Sequence, residues 1–273
     1  MRRRFLAFIA GIAVLAALTL APAAALAAKP DSGTCSGGTM LAGTYSGFTV
    51  TGTCTIAYGA NVQINGDLTV ADGASLDDHG AEMWMKARMH VTGNVYVGRG
   101  AVLGLGWNSP QGEGSLGPDT VGGSIVANQP LAMQVGQVTV GGNLISNGGG
   151  VVSVSGADRN FPVEDNVIHG NLVVQGWRGG WIGLIRNTVD RNVIFANNVS
   201  RFNRDTGAGM DPDSSEVMGT DLSAFGGPIV PQTIGGNLIC HDNVPAAQVN
   251  PADGGAMNFV GGKAIGECAA LTQ

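Results

Sequence analysis

The chain has 273 residues, with 14 basic and 20 acidic side chains, a formal charge of −6 and a charged fraction of only 12%. The acidic balance excludes a nucleic-acid binder, which needs a basic footprint, and this length holds one ordinary domain or one solenoid. The 45 glycines, about twice the usual frequency, indicate a backbone that turns sharply and often.

Residues 1–27 read as an export signal. Arg2, Arg3 and Arg4 form a basic start, Phe5 to Leu20 is apolar, and Ala25-Leu26-Ala27 fits the small-x-small rule, which places the cut after Ala27. The apolar run is short and Ala-rich for a membrane anchor. Arg2-Arg3-Arg4-Phe5-Leu6 is similar to a twin-arginine signal, but so short a basic start favours the general secretory route. The mature chain, 28–273, has 246 residues and a formal charge of −9. It holds no later segment apolar enough to span a bilayer.

Beyond the signal one phrase recurs: apolar, any residue, Gly, Asn, apolar. It reads Val91-Thr92-Gly93-Asn94-Val95, Val140-Gly141-Gly142-Asn143-Leu144, Ile168-His169-Gly170-Asn171-Leu172 and Ile234-Gly235-Gly236-Asn237-Leu238. Weaker copies centre on Gly66, Gly123 and Arg191, with further copies at Gly52 and Gly262. A phrase repeated every few tens of residues marks stacked supersecondary units. The positions two before and two and four after the glycine are apolar in almost every copy, and the first of these is β-branched. Alternation of this kind is a strand with one buried face. Successive copies lie 14, 27, 30, 19, 28, 21, 45 and 26 residues apart. Most of these steps suit one coil of a parallel β-helix. The step of 14 is too short for a full coil, so Gly52 belongs to a cap or shares a coil with the next copy. The step of 45 is either two coils or one with a long excursion.

Asn94, Asn143, Asn171, Asn192 and Asn237 share one register, which predicts an amide ladder along the stack. Glycine and asparagine supply the positive φ that tight corners need. The four cysteines fall in two pairs, one towards each end. Three disulfide connectivities are open. Local pairing, Cys35 with Cys54 and Cys240 with Cys268, fits a solenoid best because its ends are far apart. No Cys-x-x-Cys spacing supports a metal site.

The stretch Thr44 to Cys54 leading into Gly66 to Leu76, with Gly236-Asn237-Leu238-Ile239-Cys240 and Gly266-Glu267-Cys268 at the close, resembles secreted bacterial β-helix proteins of no assigned activity. The resemblance covers nearly the whole mature chain. It implies an all-β, single-stranded, right-handed parallel β-helix, the hand also favoured by the general crossover rule. It further implies a fold similar to pectate lyases, polygalacturonases and bactofilin-like scaffolds.

Chemistry on such a fold sits on loops and outer faces. Asp77, Asp78 and Arg88, with His79, Glu82, Lys86 and His90 nearby, form the only compact mixed-charge cluster and the weak catalytic candidates for glycoside cleavage. The Asp-Asp pair is similar to that of polygalacturonases, whose other signatures are absent. Asp211, Asp213 and Glu216 are hard oxygen ligands suited to Ca²⁺, without a complete calcium-loop spacing; no other cofactor is expected. Trp177 and Trp181 flank glycines, as an aromatic platform for sugar rings would; the competing reading is that they cover the solenoid wall. No nucleophile elbow, phosphate loop or dinucleotide fingerprint is present. The leading expectation is an exported, non-enzymatic β-solenoid, a structural or surface module binding glycans or cell envelope. The alternative is a polysaccharide lyase or glycoside hydrolase of the pectate-lyase-like class.

Overall fold

The computed structural model describes residues 31–57, 59–77, 87–106, 119–150, 161–200, 215–221, 229–250 and 255–273. The expected signal segment lies outside them. The described chain is a parallel β-helix. It visits three sheets in turn and returns to the first one coil later. Sheet one has ten parallel strands, from Gly33–Cys35 to Ala264–Gly266. Sheet two has eight parallel strands, from Gly38–Met40 to Ser215–Asp221, and the last of these also pairs antiparallel with Ile229–Val230 and Gly255–Ala256. Sheet three has nine, from Gly43–Tyr45 to Phe259–Val260.

The hydrophobic core is the lumen. Ile64, Val91, Val140, Ile168 and Ile234 of sheet three and Leu68, Val95, Leu144, Leu172, Val193 and Leu238 of sheet one are all buried to within 1%. Their intervening neighbours face out, as the period of two requires. The register follows the repeated phrase: Leu68, Val95, Ile125, Leu144, Leu172, Val193, Leu238 and Ala264 stack one above another. Val193 pairs directly with Leu238, so the step of 45 is one coil with an excursion.

The copy at Gly52 is corrected. Phe48 stacks with Leu68, so Ser46, not Gly52, holds the place equivalent to Gly66, and a Cβ on Gly66 would lie 2.2 Å from the Ser46 carbonyl oxygen. Gly52 falls at the next corner of the same coil, over Ser36. The short step was a comparison between two different corners.

The glycine of the phrase has a reason other than positive φ. A Cβ at Gly142 would sit 2.3 Å from Ser124 Oγ, and one at Gly170 would sit 2.6 Å from Asn143 Oδ1. The ladder side chain of the coil below occupies that space. Asn171 donates its backbone N–H and its amide Nδ2 to Asn143 Oδ1 at 2.8 and 3.0 Å, and Asn192 on Asn171 and Asn237 on Asn192 repeat the pair. Asp67 begins the column and Lys263 ends it. Where Arg191 replaces the glycine, its N–H still reaches the Gly170 carbonyl, at 3.2 Å against 3.0 Å for Gly93 to Gly66 and 2.7 Å for Gly142 to Gly123. Positive φ belongs to the other two corners: Gly100, Gln129, Gly148, Gly176, Asn197 and Asp242 form a left-handed column after sheet one, and Gln137, Asp165 and Arg186 form another after sheet two.

Both ends are fastened by disulfides, Cys35–Cys54 and Cys240–Cys268, each joining successive coils from inside.

This register is open to test by substitution. Leu172→Asp buries an unpaired charge and abolishes folding, a loss of roughly 4 kcal/mol or more, whereas Val173→Thr, on the outer face, leaves the denaturation midpoint nearly unchanged; equal damage from both would refute the register. Non-reducing peptide mapping yields Cys35–Cys54 and Cys240–Cys268 peptides and no Cys54–Cys240 peptide.

Candidate functional site

Several described carboxylates serve the backbone. Asp72 accepts the Arg99 N–H at 2.8 Å. Asp119, fully buried, accepts the N–H groups of Met89 at 2.8 Å and Gly106 at 3.1 Å. Glu267 accepts from the Asn243 N–H and Nδ2 and from the Ala247 N–H. At the corner between sheets two and three, Arg186 donates to both Asp165 oxygens at 2.7 Å and to Glu164 at 3.2 Å. Burial pulls the Arg186 pKa down, but the hydrogen bonds and charges of Asp165 and Glu164 more than reverse this and leave it raised. Such fixed pairs knit one coil to the next.

The same corner carries a second column that the repeated phrase did not reveal. Asn166, Asn187, Gln232 and Asn258 are buried to within 1%. Asn166 donates Nδ2 to the Val135 carbonyl and to Asn187 Oδ1 at 2.9 Å, and Asn187 donates to the Val163 carbonyl at 2.8 Å and to Gln232 Oε1 at 3.1 Å. Gln232 continues to Asn258. A third column at the corner after sheet one runs from Asn198 through Asn243 to Glu267. The signal was present: Asp165-Asn166-Val167, Arg186-Asn187-Thr188, Asn197-Asn198-Val199 and Asp242-Asn243-Val244 share a left-handed residue followed by a buried Asn.

The predicted site residues are described only in part. Asp77 lies on the outer side of sheet two and Arg88 on that of sheet three, either side of a corner; Asp78 lies outside the described residues. Arg88 Nε is buried with no acceptor, and neighbouring His90 is hydrogen-bonded to Thr120. Asp211 and Asp213 also lie outside the described residues. Glu216 is buried in sheet two and accepts from Asn250 Nδ2 at 3.2 Å. Among the described residues no three His, Cys, Asp or Glu side chains gather as a metal would require.

The paired-indole platform is corrected. Trp177 follows the left-handed Gly176 at the place that Asn198 and Asn243 hold in later coils, so it points into the lumen. It is fully buried against Phe161, with ring centroids 4.8 Å apart. Trp181 lies outside the wall, its ring where a Cβ on Gly183 would be. One indole is inside the solenoid and the other outside, so they present no common surface.

The corner after sheet one, the first corner of each coil, opens into a cleft of about 380 Å³. Gly100, Gln129, Gly148 and Gly176 of the left-handed column form its floor. Pro130, Leu131, Gly149 and Gly150 line it, and Arg99 and Arg178 complete it. Gly149 and Gly150 have φ of 105° and 72°, and a Cβ on either would strike the carbonyl of Pro130 or Arg178. Arg178 is exposed and held in place by donating to the carbonyls of Asn197 at 2.5 Å and Trp177 at 3.2 Å. Arg99 is also exposed. Among the described residues no carboxylate lines this cleft. No protein family, curated protein or solved structure matches this chain.

The buried Asn column makes its own prediction. Asn187→Leu strands the Asn166 amide and the Val163 carbonyl, and costs about 2–4 kcal/mol. Thr188→Val, one residue on and exposed, costs under about 0.5 kcal/mol. Chemical denaturation of the two variants separates them.

Proposed function

We propose that this chain is an exported, non-enzymatic β-helix that binds an acidic polysaccharide of the cell envelope or its surroundings along the first corner. The observation that carries this reading is the cleft with two arginines and no carboxylate among its described residues, on a molecule whose overall charge is negative. A locally reversed sign selects anions that the rest of the surface repels. A guanidinium pairs with a carboxylate or sulfate by two parallel hydrogen bonds. The cleft runs across coils stacked about 4.8 Å apart, so it offers a repeating chain one backbone level after another. The exposed Gln129 amide and the apolar edges of Pro130 and Leu131 suit the mixed faces of a sugar ring.

The structural duties of Asp72, Asp119, Glu164, Asp165 and Glu267 support a binding role over catalysis, because general acid–base work needs groups preorganised around a substrate. The two end disulfides, together with the basic and apolar character of residues 1–27, support export to an oxidising compartment.

Titration of polygalacturonate or alginate oligomers into purified protein yields saturable binding that weakens with salt, and a neutral glucan gives none. Arg99→Ala and Arg178→Ala each lower the affinity about tenfold, the scale of one charge-assisted pair, with unchanged melting temperature as the control. Absence of binding, or full binding in both variants, would overturn the proposal. The oligomers remain intact with or without Ca²⁺; product formation that disappears on changing Asp77 and Asp78 to Ala would replace it with the lyase or hydrolase reading.

A further inference from the structure

The three outer faces differ in chemistry. The outward row of sheet three is mostly polar: Gln63, His90, Thr120 and Thr139 stack, Thr188 and Thr233 follow above Val167, and Phe259 closes the row. Sheet two turns Glu164, Ile185, Glu216 and Met218 outward, and all four are nonetheless buried. Sheet one is open, and its outward row reads Thr69, Tyr96, Val126, Ile145, Val173, Ile194, Ile239, Ile265. Tyr96 and Ile265 are 42% and 45% exposed, and the residues between them are half-buried. Seven large apolar side chains in one straight line on a solvent face are unusual for a strand whose other face already supplies the core.

Beside this row runs the ladder column, Asp67, Asn94, Ser124, Asn143, Asn171, Asn192, Asn237, Lys263. It is uncharged except at its two ends, where the exposed Asp67 and Lys263 carry opposite signs. From these two columns we infer that sheet one is the interface of a homodimer in which two solenoids pack face to face and antiparallel. A two-fold axis along the strand direction keeps each column opposite its own copy and reverses its order. Thr69 then faces the second copy's Ile265, Tyr96 faces Ile239, Val126 faces Ile194, and Ile145 faces Val173 across the axis. The same operation brings Asp67 of each copy to Lys263 of the other, giving two symmetric ion pairs at the ends of a dry seam. A parallel arrangement would set the ladder column of one copy at the opposite edge of the other and leave both charges without partners.

The size is adequate. Eight strands about 4.8 Å apart give a face about 34 Å long. The apolar row, the ladder and the Asn147–Gln175 side give it a width of roughly 20 Å. This is roughly 680 Å² in projection, more once side-chain relief is counted, against the ~800 Å² per partner of a standard interface. Packed sheets of this kind lie about 10 Å apart. The cleft is lined by none of the apolar row and none of the ladder, so the two proposals are tested by different substitutions.

Sedimentation equilibrium of the purified protein over a concentration series tests the inference. The expected result is a reversible dimer, weakened at least tenfold by Ile145→Lys while the melting temperature of the monomer is kept. Lys263→Glu, which sets a carboxylate against Asp67 at each end of the seam, also weakens the dimer. Adding Asp67→Lys to that variant restores it by exchanging the two charges. A monomer at every concentration, or a dimer indifferent to Ile145→Lys, overturns the interface. A double variant no tighter than Lys263→Glu alone overturns the antiparallel arrangement.

Discussion

Every part of this structure depends on a single translational constraint. Each coil must place its backbone N–H groups under the carbonyls of the next, about 4.8 Å along one axis, and must do so at the corners as well as in the sheets. Strands satisfy this automatically. Corners do not, because they turn polar groups away from the ladder. The solution is an amide side chain that bonds along the axis: on the outside the oxygens of Asn143, Asn171, Asn192 and Asn237 accept from the coil above, and on the inside the oxygen of Asn187 accepts from Asn166 of the coil below. Each column fixes the local coil spacing and with it the register of the adjoining apolar residues.

The architecture was legible because a phrase at one corner repeats with the chain's own periodicity. Val91, Val140, Ile168 and Ile234 and their partners two and four residues beyond the glycine all enter the lumen. Gly52 misled because its local wording, Val50-Thr51-Gly52-Thr53-Cys54, imitates the phrase from a neighbouring corner. Only strand pairing distinguishes corners that share a vocabulary. The second and third Asn columns escaped notice for a related reason. Their cue is the pair of a left-handed residue and a buried Asn, and within each column the first member changes, Asp165 to Arg186 in one and Asn197 to Asp242 in the other, so no fixed phrase repeats.

Function was less legible, and the indoles show why. Trp177 and Trp181 are four residues apart, and proximity in sequence suggested a shared surface. In a solenoid wall the corner residue after a positive φ turns inward and the next strand approach turns outward, so a short interval separates inside from outside. The cleft, by contrast, draws on Arg99, Gln129, Gly149 and Arg178, which come from successive coils and have no sequence relation except the coil step. Sites on a stacked fold run along the axis, across the grain of the chain, and a motif search runs with the grain.

The placement of the disulfides has a mechanical consequence. A solenoid loses structure from its ends, since a terminal coil has one neighbour where an inner coil has two. Cys35–Cys54 and Cys240–Cys268 each close the outermost described coil onto the one beneath it. A pull on either terminus therefore meets a covalent loop before it reaches a free edge, and the intervening residues cannot be drawn out singly. Load passes instead to the bond between coils, where it must shear many parallel backbone hydrogen bonds together. A chain built this way resists being unravelled from a loose end, by traction or by a processive protease, and yields only as a block.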